Sequence, residues 1–221
     1  TMIFLSIFII LAFCYTKHYS IFSSKDSQMS WRDWFLSQPF AKYFVKIDDN
    51  FLNDTMNYYG IRQKVSNFSL SLEIIKGSYI PKENYPSNWP PLINDYAMML
   101  YGLLHAKYLS TSQGLDLMFE KYKQNSFEKC PRSLCQGIQC LPFGNSNDIG
   151  NSTLKLFCPN CNDIYHINNE DCQYLDGAFF GNNWVHLFLR KFPSIIPSGI
   201  PEKYVPRLFG YQLYGDGTEE E

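Results

Sequence analysis

The sequence predicts an α+β protein in which an all-helical N-terminal part is followed by a four-cysteine ribbon and a short C-terminal segment suited to contact with a partner. Three observations carry this. Apolar residues recur at helical spacing from Ser30 to about Asn125, after which short alternating runs and turn residues take over. Two cysteine pairs stand in the second half, Cys130-Pro-Arg-Ser-Leu-Cys135 and Cys158-Pro-Asn-Cys161, with 22 residues between them. The closing stretch holds Tyr204, Val205, Leu208, Phe209, Tyr211, Leu213 and Tyr214 with little chain left to cover them, so partner contact is expected there.

The cysteines point to a metal. Four thiolates at C-x4-C and C-x2-C spacing can close a tetrahedral shell around one zinc ion, because each pair lies in a tight loop that presents both sulfurs together. Pro131 and Pro159 occupy matching places after the first cysteine of each pair. A closed shell leaves no position for water, so the expected site is structural, one zinc per chain on Cys130, Cys135, Cys158 and Cys161. Cys14, Cys140 and Cys172 remain without a pairing pattern. Seven cysteines cannot all pair with one another, which fits a reducing compartment better than a secreted framework.

A chain of 221 residues with 45% hydrophobic and 17% aromatic residues is ample for a core, and a net charge of −2 gives no global pull toward nucleic acid or membranes. The leader is a separate matter. Met2 to Tyr15 carries no charge, yet as a helix it spans only about 21 Å, short of a hydrocarbon core of about 30 Å. It has the length of a signal-peptide apolar region without the basic residues before it or the small-residue cleavage pattern after it. Residues 1–28 are therefore set apart as a hydrophobic leader, and a membrane role is not expected unless that leader is real. The helical domain is expected at 29–125, the ribbon at 126–203 and the closing segment at 204–221.

Ser30 with Asp33 reads as the start of a first helix with Trp31, Trp34 and Phe35 on one face. Asp48 or Asp49 caps a second, with a stripe of Phe51, Leu52, Thr55 and Tyr59 and Gly60 as its stop. Val65, Phe68, Leu72 and Ile75 mark a third that ends at Gly77. The stretch from Ile75 to Pro91 holds four prolines and predicts an exposed loop. Ile93, Tyr96, Ala97, Leu100 and Leu104 define a fourth helix, and Leu115, Met118, Phe119 and Tyr122 a fifth. In the ribbon, Leu154 and Leu156 alternate with Lys155, and Ile164-Tyr165 continues the hairpin after the second cysteine pair. Asp176 to Gly181 reads as a turn and strand, and Trp184 to Arg190 as a short helix.

Two function classes are disfavoured. Residues 125–210 hold seven Lys and Arg against seven Asp and Glu, which lacks the basic face of a nucleic-acid-binding ribbon. An enzyme would need a nucleophile, a base or an open metal position. His105 sits in a helix stripe, His166 and His186 are isolated, and His18 lies in the leader.

Seven segments together are far more specific than a zinc ribbon alone: Trp31-Arg-Asp-Trp34-Phe35, Met99-Leu-Tyr-Gly-Leu103-Leu-His-Ala106, Leu117-Met-Phe-Glu-Lys-Tyr122, Cys130-Pro-Arg132, Lys155-Leu-Phe-Cys-Pro-Asn-Cys161-Asn-Asp163-Ile-Tyr165, Asp176-Gly-Ala-Phe-Phe-Gly181 and Val205-Pro-Arg-Leu-Phe-Gly210-Tyr. In this order and spacing the chain resembles the regulatory beta subunit of the protein kinase casein kinase II, over roughly residues 29 to 214.

The resemblance implies a noncatalytic subunit, cytoplasmic and nuclear. It would dimerise through its zinc ribbon and dock the kinase's catalytic subunit in a heterotetramer that acts on protein substrates. The docking residues become Arg207, Leu208, Phe209, Gly210, Tyr211, Leu213 and Tyr214, with Phe209 and Tyr211 as anchors, and Pro131 and Ile164 are expected at the dimer contact. Thr218, followed by Glu219 to Glu221, is a candidate phosphorylation site for such a kinase. Three departures bear on these expectations. The family's order of Tyr then Phe is reversed at the anchors. Its acidic loop is replaced by Lys76 through Pro91, with Glu83 as the single carboxylate, so regulation through that loop is not carried over. Ser133 and Asn145 stand where apolar dimer contacts are expected. The competing reading is a general zinc-ribbon interaction scaffold tied to no kinase.

Overall fold

The computed structural model describes residues 29–198 and 204–213, so the leader, Tyr214 and Thr218 lie outside the described residues. Helix α1 (Trp31–Ser37) begins as its sequence dictates. The Ser30 hydroxyl accepts from the Asp33 amide at 3.1 Å and donates to the Asp33 carboxylate at 2.6 Å, which satisfies one of the open N–H groups of the first turn. The helix buries Trp31, Trp34 and Phe35. Arg32 is buried with them because its guanidinium donates to the Ile47 carbonyl at 2.9 Å and pairs with Asp49 at 2.5 Å.

Helix α2 (Asp49–Asn53) is capped by Asp48 but ends about two turns before the expected Gly60 stop. The Asp54 carboxylate accepts from the Met56 amide at 2.9 Å and starts a separate 3-10 turn, Thr55–Tyr58. Side-chain bonds of this kind compete with helix continuation. The consequence is a one-residue shift in register: Tyr58 is buried, while Thr55 is exposed and Tyr59 is 85% exposed.

Helix α3 (Phe68–Lys76) ends at Gly77 as expected, with Phe68, Ile74 and Ile75 buried, Leu72 half-buried and Val65 buried just ahead of it. The proline-rich loop that follows is largely exposed, as expected, with Tyr79 as its buried residue. Its first residues pair with the segment just ahead of α1, where the Tyr79 amide donates to the Met29 carbonyl at 2.8 Å, and the buried Tyr79 ring stacks on Trp34 at 4.7 Å.

Helix α4 (Ile93–Tyr108) is the axis of the molecule, buried on nearly every side at Ile93, Ala97, Leu100, Tyr101, Leu104, His105 and Tyr108. Such a helix must have neighbours all round. It packs against α3 and against a turn from the far end of the chain, Gly177–Phe179. Helix α5 (Ser112–Lys123) follows, with the Thr111 hydroxyl accepting from the Gly114 amide at 3.1 Å.

The ribbon is a three-stranded antiparallel sheet, β1 (Leu141–Phe143), β2 (Lys155–Cys158) and β3 (Asp163–His166), in that spatial order. Strand β1 pairs Pro142 opposite Leu156 and is an edge strand, the place where a proline's missing N–H is tolerated. Asp176 to Gly181 forms no strand. The Asp176 carboxylate accepts from the Ala178 and Gly150 amides at 2.9 and 2.6 Å, curling the segment into a 3-10 turn that buries both Phe179 and Phe180. Alternation along a strand would have pointed these two rings to opposite faces. Helix α6 (Trp184–Lys191) closes the fold, burying Trp184, Val185 and Phe188 and donating from Trp184 Nε1 to the Pro142 carbonyl at 3.1 Å. The apolar core is continuous from Trp31 to Ile195. Among the described residues, no helix is long and apolar enough to cross a membrane.

Candidate metal centre and exposed hairpin

Both cysteine pairs sit in loops that local backbone bonds force to turn tightly. In the first, the Cys130 amide donates to Ile138 at 2.7 Å and the Cys140 amide to Glu128 at 2.8 Å, so residues 128–140 fold back on themselves. Ser133–Cys135 adds a single 3-10 turn, and Gln136 and Gly137 reverse the chain with φ of 58° and 72°. The second loop joins β2 to β3. There the Asn162 amide donates to the Cys158 carbonyl at 2.9 Å, and Asn162 takes a φ of 52°, a conformation asparagine tolerates better than most residues.

The four sulfurs of Cys130, Cys135, Cys158 and Cys161 lie within 4.8 Å of one another. The short separations run between the loops, Cys135 to Cys158 at 3.5 Å and Cys130 to Cys161 at 3.8 Å. A tetrahedron with metal–sulfur bonds of about 2.3 Å has edges of about 3.8 Å. The quartet can therefore hold a metal ion with little movement, and four soft ligands in this geometry suit zinc or iron.

Three of the four are buried and Cys161 is half-buried. Burial pushes the Cys130 and Cys158 thiols up. It also raises Cys161, but hydrogen bonds with Arg132, Tyr165, Cys135 and Cys158 together outweigh burial and bring that thiol to about 7. A bound dication would strip the remaining protons. N–H groups already face the sulfurs: Arg132 Nη1 is 3.6 Å from Cys161, Asn160 Nδ2 3.3 Å from Cys135, and the Cys161 amide 3.4 Å from Cys158. The sequence reading had not singled out these donors, although their place inside the two loops was the available signal. Cys140 and Cys172 are buried free thiols outside the quartet, and burial pushes Cys140 up to about 12.

Pro131 and Ile164, expected at a dimer contact, are both exposed beside the loops, as are Ser133 and Asn145. His105 is a core residue. Its Nε2 accepts from the Val45 amide at 3.1 Å, its Nδ1–H donates to the Phe179 carbonyl at 2.9 Å, and burial holds it down to about 3. His186 is exposed, and His166 is exposed with Nδ1 3.1 Å from Lys155 Nζ.

Far along the chain, β4 (Arg207–Leu208) and β5 (Tyr211–Gln212) form a two-stranded hairpin, and every residue from Tyr204 to Leu213 is exposed. Leu208 faces Tyr211 across it, and the Leu213 amide closes it on the Pro206 carbonyl at 2.9 Å. Its turn has positive φ at both central residues, 51° at Phe209 and 87° at Gly210. Glycine suits that geometry, whereas a large side chain there is strained. The Phe209 ring is 92% exposed and Tyr211 is 80% exposed. Arg207, Leu208, Phe209, Gly210, Tyr211 and Leu213 thus share one small projection.

Comparison with known proteins bears on both features. Residues 30–212 match the family model described as casein kinase II regulatory subunit. Casein kinase II subunit beta of Schizosaccharomyces pombe is 36% identical over 196 residues, covering 89% of this chain and 84% of that protein. Casein kinase II subunit beta of Dictyostelium discoideum is 33% identical over 199 residues, with 90% and 74% covered. Casein kinase II subunit beta' of Drosophila melanogaster is 33% identical over 187 residues, with 85% of each chain covered.

Proposed function

Because the chain belongs to the casein kinase II regulatory subunit family, a family of noncatalytic subunits, we propose that it works by dimerising through the ribbon and docking catalytic subunits of the kinase through its C-terminal hairpin. The observation that carries this reading is the hairpin. Among the described residues most large aromatic rings build the core, yet here Phe209 and Tyr211 stand in water on one turn, with Phe209 in a strained backbone position. Large rings held out on a turn are the kind of anchor that fills a partner's pocket. Gly210 supplies the left-handed turn that lets both project.

In this reading the cysteine quartet binds zinc. The ion, when bound, supplies a cross-link between two loops that share no strand. The chain's own residues do the rest: β2 and β3 carry the second loop, the 128–140 fold-back carries the first, and Pro131 and Ile164 offer apolar surface to a second copy. With Ser133 and Asn145 exposed where apolar dimer contacts are expected, the contact surface is partly polar, which favours a weaker dimer. The balanced charge of residues 125–210 argues for protein rather than nucleic acid as partner. Cytoplasmic and nuclear location follows from the same reading.

The direct test is co-purification of the full chain with a casein kinase II catalytic subunit, followed by native mass measurement. Two regulatory and two catalytic chains are expected. A chain that stays alone in the presence of the kinase, while still binding zinc and dimerising, would favour the interaction-scaffold reading.

A further inference from the structure

The two loops of the cysteine centre reach across to each other by a route that does not pass through the metal position. Arg132, between the two cysteines of the first loop, donates from Nη1 to Cys161 of the second at 3.6 Å. Asn160, between the two cysteines of the second loop, donates from Nδ2 to Cys135 of the first at 3.3 Å. The arrangement is reciprocal: each loop lends one side-chain N–H to a sulfur of the other.

We propose that Arg132 and Asn160 are positioning residues that form a cross-brace over the metal, with Arg132 controlling the one side from which the ion can leave. The inference rests on the zinc reading given above. Four thiolates and one dication carry a net charge of −2, and each N–H directed at a sulfur draws negative charge off it and fixes its direction. Three ligands are buried, so solvent, competing chelators and electrophiles can approach through Cys161. That sulfur is the one given the charged donor. The other donors facing ligand sulfurs, among them the Tyr165 hydroxyl, the Asn160 amide and the Cys161 backbone N–H, are neutral. Placing the guanidinium at the half-buried corner stabilises the exposed thiolate where a neutral donor would be weakest.

The test uses the full chain, loaded with zinc, and asks how fast the ion passes to an excess of a chromogenic chelator. A parallel sample loaded with cobalt(II) reports the sulfur-to-metal charge-transfer band. One metal per wild-type chain is established first, and its absence would end the zinc reading rather than this one. Arg132→Met is expected to release zinc about tenfold faster and to move the cobalt band to lower energy, because a thiolate that loses its donor gives up an electron more readily. Arg132→Lys, which keeps a cation, should recover most of the wild-type rate. Asn160→Leu should move the band with a smaller effect on release, since Cys135 is buried. Sizing of each variant separates these effects from loss of the dimer. If Arg132→Met does not fold, Arg132→Gln and Asn160→Leu carry the same comparison. Wild-type release rates and an unmoved band in the folded variants would overturn the proposal. So would equal acceleration in Arg132→Met and Arg132→Lys with no spectral change, which is the signature of lost packing.

Discussion

Gly102 on α4 is the gap into which the Phe179 ring fits: a Cβ at Gly102 would lie 2.4 Å from the ring's Cδ1 and Cγ. This contact locks the central helix of the N-terminal half to the 3-10 turn that follows the ribbon.

Gly102→Ala tests that lock. In an open helix the change would gain up to about 1 kcal/mol of helix propensity. Here the methyl group must displace a buried ring, and overpacking of this kind costs about 1–3 kcal/mol. The clash should win, lowering the melting temperature by several degrees rather than raising it. Differential scanning calorimetry decides, and a more stable alanine variant would show that Phe179 yields easily.

His105 makes stability depend on pH in a stated direction. Its folded value is about 3 against an ordinary value of 6.5, because burial disfavours the charged ring. Between those values the unfolded chain binds the extra proton. The stabilisation is therefore complete above about 6.5 and is lost as pH falls toward 3, by up to about 1.4 kcal/mol per pH unit. Burial raises Asp95 and Asp176, which act in the opposite sense, so the useful quantity is a difference. Urea unfolding of wild type and His105→Gln from pH 7 to pH 4 should give a shallower slope for the variant. Parallel curves would remove the histidine from the account.

Loss of the metal should undo the ribbon. Structural zinc in four-ligand sites contributes about 10–16 kcal/mol of apparent binding free energy, comparable to or larger than the whole stability of a typical domain. Elemental analysis should find one zinc per chain. Cys158→Ser, altering a fully buried ligand, should lose the metal, the ribbon's protection from hydrogen exchange and the dimer together. A Cys158→Ser protein that remains dimeric would contradict the prediction.

At the hairpin, the turn and the anchor can be separated. Phe209→Asn places a residue that favours positive φ at 51°, so the turn is kept or improved while the ring is removed. Kinase affinity should fall by about thirtyfold, equivalent to about 2 kcal/mol, and Tyr211→Ala should behave alike. Neither should change the melting temperature of the free chain, since both side chains are exposed. Calorimetric titration against the catalytic subunit measures the first, and a thermal scan the second.

The clustering of the four cysteines was legible in the sequence because each pair sits in a loop closed by bonds within its own stretch of chain. Helices α1 and α3 to α6 were legible from their apolar residues, α3 also from its Gly77 stop. What failed was decided by single side chains meeting backbone. Asp54 ended α2 and exchanged Tyr58 for Tyr59 as the buried ring. Asp176 turned an apparent strand into a 3-10 turn through bonds to Ala178 and Gly150, the second 26 residues away. Strand β1 was hidden by Pro142, which reads as a strand breaker until its edge position is known. The Arg132 and Asn160 donors could be seen as residues but not as a pair, because their relation exists only once both loops are folded.

The unbroken core bears on whether the two halves are interchangeable parts. Phe119 of α5 stacks on Phe192 beyond α6 with centroids 4.1 Å apart, Phe44 meets Phe180 at 4.9 Å, and the Tyr43 hydroxyl donates to Glu128 at 2.6 Å. Severing the chain near residue 125 would turn each of these internal partners into wet surface on both fragments. Neither half could be transplanted into a relative without its own counterpart, and sequence drift on one side of residue 125 must be answered on the other. The two halves are inherited as one body.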